Sequence, residues 1–79
     1  MKTNLKLVEN IAENITNESW GAVVNDIDLI RPRSGLLYKI RACLRLDDDD
    51  VWSPASEEDA RWLKAIAPTL AGEYAVGNI

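Results

Sequence analysis

The sequence predicts a mostly α-helical fold: a small bundle of three to five short helices with an N-terminal αα-hairpin, in a single domain over residues 1–79. Three observations predict it. Apolar residues recur at helical spacing near both ends of the chain. Helix stops at Arg31-Pro32 and Pro68 punctuate those stripes. A chain of 79 residues with one cysteine has room for one small core and no disulfide to staple it.

The elements follow in order. Over residues 4–16, Leu5, Val8, Ile11, Ala12 and Ile15 form one stripe, with Lys6, Glu9, Asn10 and Glu13 on the other side. Thr3 or Asn4 can cap this helix. Its β-branched residues lower the intrinsic propensity, so packing must hold it. Thr16 to Ser19 read as a short connection and a new cap. A second helix then fits residues 18–30, with Trp20, Val23, Val24, Ile27 and Ile30 on one face. Two amphipathic helices joined this closely predict an antiparallel pair.

Arg33, Ser34 and Gly35 predict a turn. Residues 36–46 fit two patterns. As a strand, Leu36, Tyr38, Ile40, Ala42, Leu44 and Leu46 alternate with polar or mixed positions. As a helix, Leu36, Leu37, Ile40, Cys43 and Leu44 share a stripe. Length, composition and the lack of an obvious second strand favour the helix, with α+β as the alternative. Four acids oppose a helix dipole at its C-terminus, so that helix is expected to stop by Leu46 and residues 47–56 to form a loop. Ser56, followed by Glu57, Glu58 and Asp59, resembles a capping box and starts a final helix to about Ala67. Its apolar face holds Ala60, Leu63, Ile66 and Ala67, with Trp62 at the edge. Pro68 is expected to interrupt or kink it, with Leu70 and Tyr74 continuing the stripe to a stop at Gly77.

Composition narrows the function classes. Hydrophobic residues make up 47% of the chain, too many for a disordered segment. No apolar run approaches the roughly 18–20 residues of a membrane span, and Met1 to Asn4 begin no long apolar signal, so the expectation is a cytoplasmic protein with no membrane partner. There is no histidine, which removes histidine-based triads and most metal sites. A small core without staples commonly gains buried area from a homodimer or another partner.

Charge is segregated in blocks. Residues 1–30 carry net −3, residues 31–46 net +5 and residues 47–79 net −6. The basic block holds Arg31, Arg33, Lys39, Arg41 and Arg45 with no acid. It can dock on acidic blocks of its own chain or of a twin subunit, or it can bind phosphate or an acidic partner. The acids outnumber it and lie beside it, which favours the first reading over nucleic acid.

Chemical motifs are sparse. With Asp47 as position one of a calcium loop, Asp49 and Glu58 fall on ligand positions. Val51 and Trp52 then occupy the places of an oxygen ligand and the turn glycine, so no metal is expected. Cys43 lacks a histidine base and reads as a small hydrophobe. The four glycines are isolated and form no phosphate loop. The expectation is therefore no catalytic residue, no cofactor and no enzyme.

What is left is surface. Asp47, Asp48, Asp49, Asp50, Glu57, Glu58 and Asp59 place seven acids within thirteen residues, with Trp52 among them as a candidate aromatic anchor. The functional expectation is a protein–protein interaction module: a regulator, adaptor or inhibitor acting by surface occlusion, with a homodimer as a further expectation. Small acidic inhibitors of nucleic-acid machinery, such as phage-encoded antagonists of host defence, share this profile at the level of class. The expected contacts are Asp47–Asp50 and Trp52, together with Arg31, Arg33, Lys39, Arg41 and Arg45. The alternatives are a nucleic-acid-binding dimer using the basic strip and a structural assembly subunit.

Overall fold

The computed structural model describes residues 4–75, with side chains described from 6 to 70. The element order is α1 (Asn4–Thr16), α2 (Trp20–Ile30), α3 (Gly35–Ala42), β1 (Leu44–Leu46), β2 (Trp52–Pro54) and α4 (Glu57–Ala75). The expected mostly helical bundle and its N-terminal αα-hairpin are both present. No helix among the described residues is long and apolar enough to cross a membrane.

Helix α1 lies at the centre and packs against both α2 and α4. Val8, Ile11, Ala12 and Ile15 supply its buried stripe. Leu7, outside the expected face, is buried as well. Trp20, Val23, Val24 and Ile27 come from α2, and Leu63, Ala67 and Leu70 from α4. These carry out the periodic expectation, with Ile30, Trp62 and Ile66 packed partly buried at the margin. The cap at Thr3 and the stop at Gly77 lie outside the described residues, as do the side chains of Leu5 and Tyr74.

The turn between α1 and α2 is closed by paired backbone bonds. Glu18 N–H donates to Ile15 O at 3.0 Å, and Ser19 N–H donates to Asn14 O at 2.8 Å. This satisfies carbonyls that the end of α1 would leave without partners. Helix α2 ends at Arg31, whose N–H donates to Ile27 O at 2.9 Å.

The segment 36–46 departs from the expectation of one helix. It is helical only to Ala42 and then extended from Leu44 to Leu46. The missing partner strand is Trp52–Pro54, inside the expected loop, and the two pair antiparallel: Leu44 with Pro54, Arg45 with Ser53, Leu46 with Trp52. Ladder bonds at Asp47 N to Val51 O (3.1 Å) and Ala55 N to Cys43 O (2.8 Å) flank these pairs. Alternation then puts Pro54 in a non-hydrogen-bonded pair, where its missing N–H costs the ladder nothing. The helical stripe nevertheless keeps its destination, since Leu37, Ile40 and Leu44 are all fully buried.

Helix α4 runs on through Pro68 to Ala75, so of the two expectations there the continued helix holds and the break does not. Its start is as expected: Ser56 Oγ accepts the Asp59 N–H at 3.1 Å. Strand β2 contacts both α2 and α4, so the hairpin closes the side of the bundle between them.

Candidate interaction surface

The surface is built from the α2–α3 junction and the β-hairpin, which adjoin at Arg41. Helix α3 points Leu37 and Ile40 inward, and this places Tyr38, Lys39 and Arg41 toward solvent. The Arg41 guanidinium meets Asp28 of α2, with Nε 3.2 Å from Oδ1. It also lies over the Trp52 ring of β2, 4.6 Å from the centroid. A cation at that distance from an indole face is attracted by about 0.5–1 kcal/mol at exposed sites. One side chain thus ties α2, α3 and β2 together.

Trp52 is half-buried and packed against the core. Its Cδ1 would lie 3.9 Å from a Cβ placed on Gly21, an ordinary contact, so the indole reaches toward the first turn of α2. Arg41 covers one face of Trp52, the aromatic residue expected as an anchor, and the indole packs partly buried against the core.

Beside Arg41 is a groove of about 420 Å³ lined by Ile27, Asp28, Arg31, Pro32, Tyr38 and Arg41. Arg31 and Arg41, ten residues apart in sequence, are brought to it together. Tyr38 is 54% exposed and leaves part of its ring open to solvent. Arg33 and Lys39 are exposed nearby in sequence but do not line the groove. Arg45 turns back on its own chain and donates from Nη1 to the carbonyls of Ala42 and Leu44. It thereby caps the end of α3.

The acidic run is a built turn. Asp47 Oδ1 accepts the N–H of Asp49 at 2.8 Å and of Val51 at 3.0 Å. The Asp50 N–H donates to Asp47 O at 3.1 Å, and Asp50 takes the left-handed conformation. Asp47 therefore spends its carboxylate on the turn. Asp48, Asp49 and Asp50 remain exposed, and among the described residues none of them pairs with a cation. Leu46 and Val51 flank the turn at 50% and 54% exposure. Sequence reading passed over these two, although Leu46 ends the alternating pattern that marked a strand.

Among the described residues no polar or charged side chain is buried, and no three acidic or thiol groups converge as a metal site would require. Burial pushes the Cys43 thiol up from its ordinary pKa, Asp59 adds to the shift, and Arg45 opposes it. The half-buried thiol therefore stays protonated at neutral pH and is a poor nucleophile. Comparisons with known protein families, with curated proteins and with solved structures find no match.

Proposed function

We propose that the protein is a small acidic interaction module, a regulator, adaptor or inhibitor that acts by covering a partner's surface. The Asp47–Asp50 turn is its leading contact. The observation that carries this reading is the state of the turn. Four hydrogen bonds hold its backbone, and the carboxylates of Asp48, Asp49 and Asp50 project without a cationic partner among the described residues. A preorganised display of charge loses little conformational entropy on binding. The partner it fits is a basic surface, such as one that handles nucleic acid. Charge steers the encounter, and Leu46 and Val51 supply the apolar contact that slows departure.

The rival reading, nucleic acid on the basic strip, is weakened by where the strip's cations go. Arg41 is engaged by Asp28 and Trp52, and Arg45 by backbone carbonyls. That leaves Arg31, Arg33 and Lys39, and few phosphate contacts mean limited affinity.

The test is capture from source-cell lysate with and without nuclease, comparing the wild type with Asp48→Lys/Asp49→Lys. The expected result is a protein partner that survives nuclease, is lost in the double variant and dissociates with salt, while the thermal midpoint is unchanged. Retention of nucleic acid alone, or a captured partner indifferent to the charge reversal, would overturn the reading.

A further inference from the structure

We infer that the Arg31–Tyr38–Arg41 groove is a docking site for the acidic turn of a second copy of this chain, forming a two-fold dimer with two equivalent groove–turn contacts. The inference shares the acidic turn with the proposed function but names a different occupant and a different surface.

Four observations point to this occupant. The first is charge. Arg41 is matched by Asp28, whereas Arg31 lies in the groove with no anionic partner among the described residues. The turn carries the complementary surplus on Asp48, Asp49 and Asp50. The second is mixed chemistry. The groove adds Ile27, Pro32 and the exposed Tyr38 ring to its cations, so it fits an acidic segment flanked by apolar side chains. The turn is such a segment, bounded by Leu46 and Val51 at about half exposure. The third is that, among the described residues, the chain does not satisfy these groups itself. Among the described residues the ion pairs Arg41–Asp28 and Lys64–Glu18 leave the turn out, and the internal bonds of Asp47 fix the turn in its own hairpin.

The fourth is placement. Arg41 lines the groove and also covers Trp52, which pairs with Leu46 at the base of the turn. Arg41 therefore links the positive groove to the base of the hairpin whose turn is negative. A chain that carries a positive groove and a negative turn can pair with its own copy about a two-fold axis, each copy's turn meeting the other's groove. Exposed ion pairs are individually weak, so the dimer forms in the micromolar-to-millimolar range and responds to salt.

Sedimentation equilibrium on the purified chain tests this directly. The wild type is expected to dimerise with rising concentration, weakening about tenfold or more from low to high salt as the Debye length shrinks. Arg31→Glu alone and Asp48→Lys/Asp49→Lys alone are each expected to remain monomeric, with circular dichroism and thermal midpoints confirming the fold. Mixing the two variants is the decisive arm. One contact in the mixed dimer is then native on both sides and the other is charge-reversed on both sides, so dimer should reappear. A wild type that stays monomeric at millimolar concentration, a dimer indifferent to Arg31→Glu, or a mixture that stays monomeric would each overturn the inference. Arg31→Glu separates the two readings, since it removes the dimer contact while leaving the acidic turn intact for the lysate capture.

Discussion

Glu18, Arg31 and Asp50 all take positive φ, at 59°, 57° and 61°, in positions glycine usually fills. Each closes an element. Glu18 ends α1, Arg31 ends α2, and Asp50 completes the hairpin turn. A side chain with a Cβ pays roughly 1–2 kcal/mol for that conformation, less for aspartate. Glu18 offsets part of that cost by pairing with Lys64 at 3.2 Å, while Arg31 lines the groove. Asp50 makes no side-chain bond among the described residues, so its conformational cost is uncompensated. Asp50→Gly should therefore raise stability by about 0.5–1 kcal/mol, read as a higher urea midpoint with unchanged slope. A midpoint that falls would mean the carboxylate stabilises the turn.

At the scale of elements, the hairpin and α4 show how packing overrides local signals. Extending α3 through Leu46 would keep its apolar stripe but leave the side between α2 and α4 open. The chain instead stops the helix at Cys43, whose N–H is shared between Lys39 and Ile40 carbonyls at 3.2 and 3.1 Å, and folds a hairpin over that side. Pro68 is the complementary case. It removes one backbone bond from α4 and leaves the Lys64 carbonyl without its helical donor. Lys64 and Pro68 are both exposed, so water can take that carbonyl, and Leu63, Ala67 and Leu70 gain more by staying on one continuous stripe. Pro68→Ala should restore the missing bond and stabilise the protein by about 1–3 kcal/mol, with higher helicity and melting temperature. No gain would mean that α4 is already bent to accommodate the ring.

At the scale of the molecule, the apolar core and the charged surface occupy separate territories. The interior is wholly apolar among the described residues, and α1 is its hub. A domain of this size has of order 4–12 kcal/mol in total, so one core truncation is a large fraction of it. Leu63→Ala, at a side chain with no exposure between α4 and α1, should cost about 2–5 kcal/mol. Leu29→Ala, 67% exposed on α2, should change stability by less than about 0.5 kcal/mol. Chemical denaturation of both, side by side, checks this division; similar losses would mean that Leu29 is covered in solution.

By itself the sequence determined the helices that carry strong periodicity. Val8 to Ile15, Trp20 to Ile27 and Leu63 to Leu70 announced their buried faces because 3.6-residue spacing needs only local information. Ser56 announced a helix start for the same reason. The blocks of opposite charge were equally legible, being a property of order along the chain. Only the tertiary structure decided that Leu44–Leu46 is a strand, since its partner Trp52–Pro54 is three residues long and holds a proline. It also decided how the charges are used. Arg41 is committed to Asp28 and Trp52, Arg45 to backbone carbonyls and Asp47 to its own turn, while Arg31 and Asp48–Asp50 have no ion-pair partner among the described residues. The physical reason is range: periodicity is set by neighbours a turn away, whereas strand pairing and ion pairing depend on which distant segments the core brings into contact.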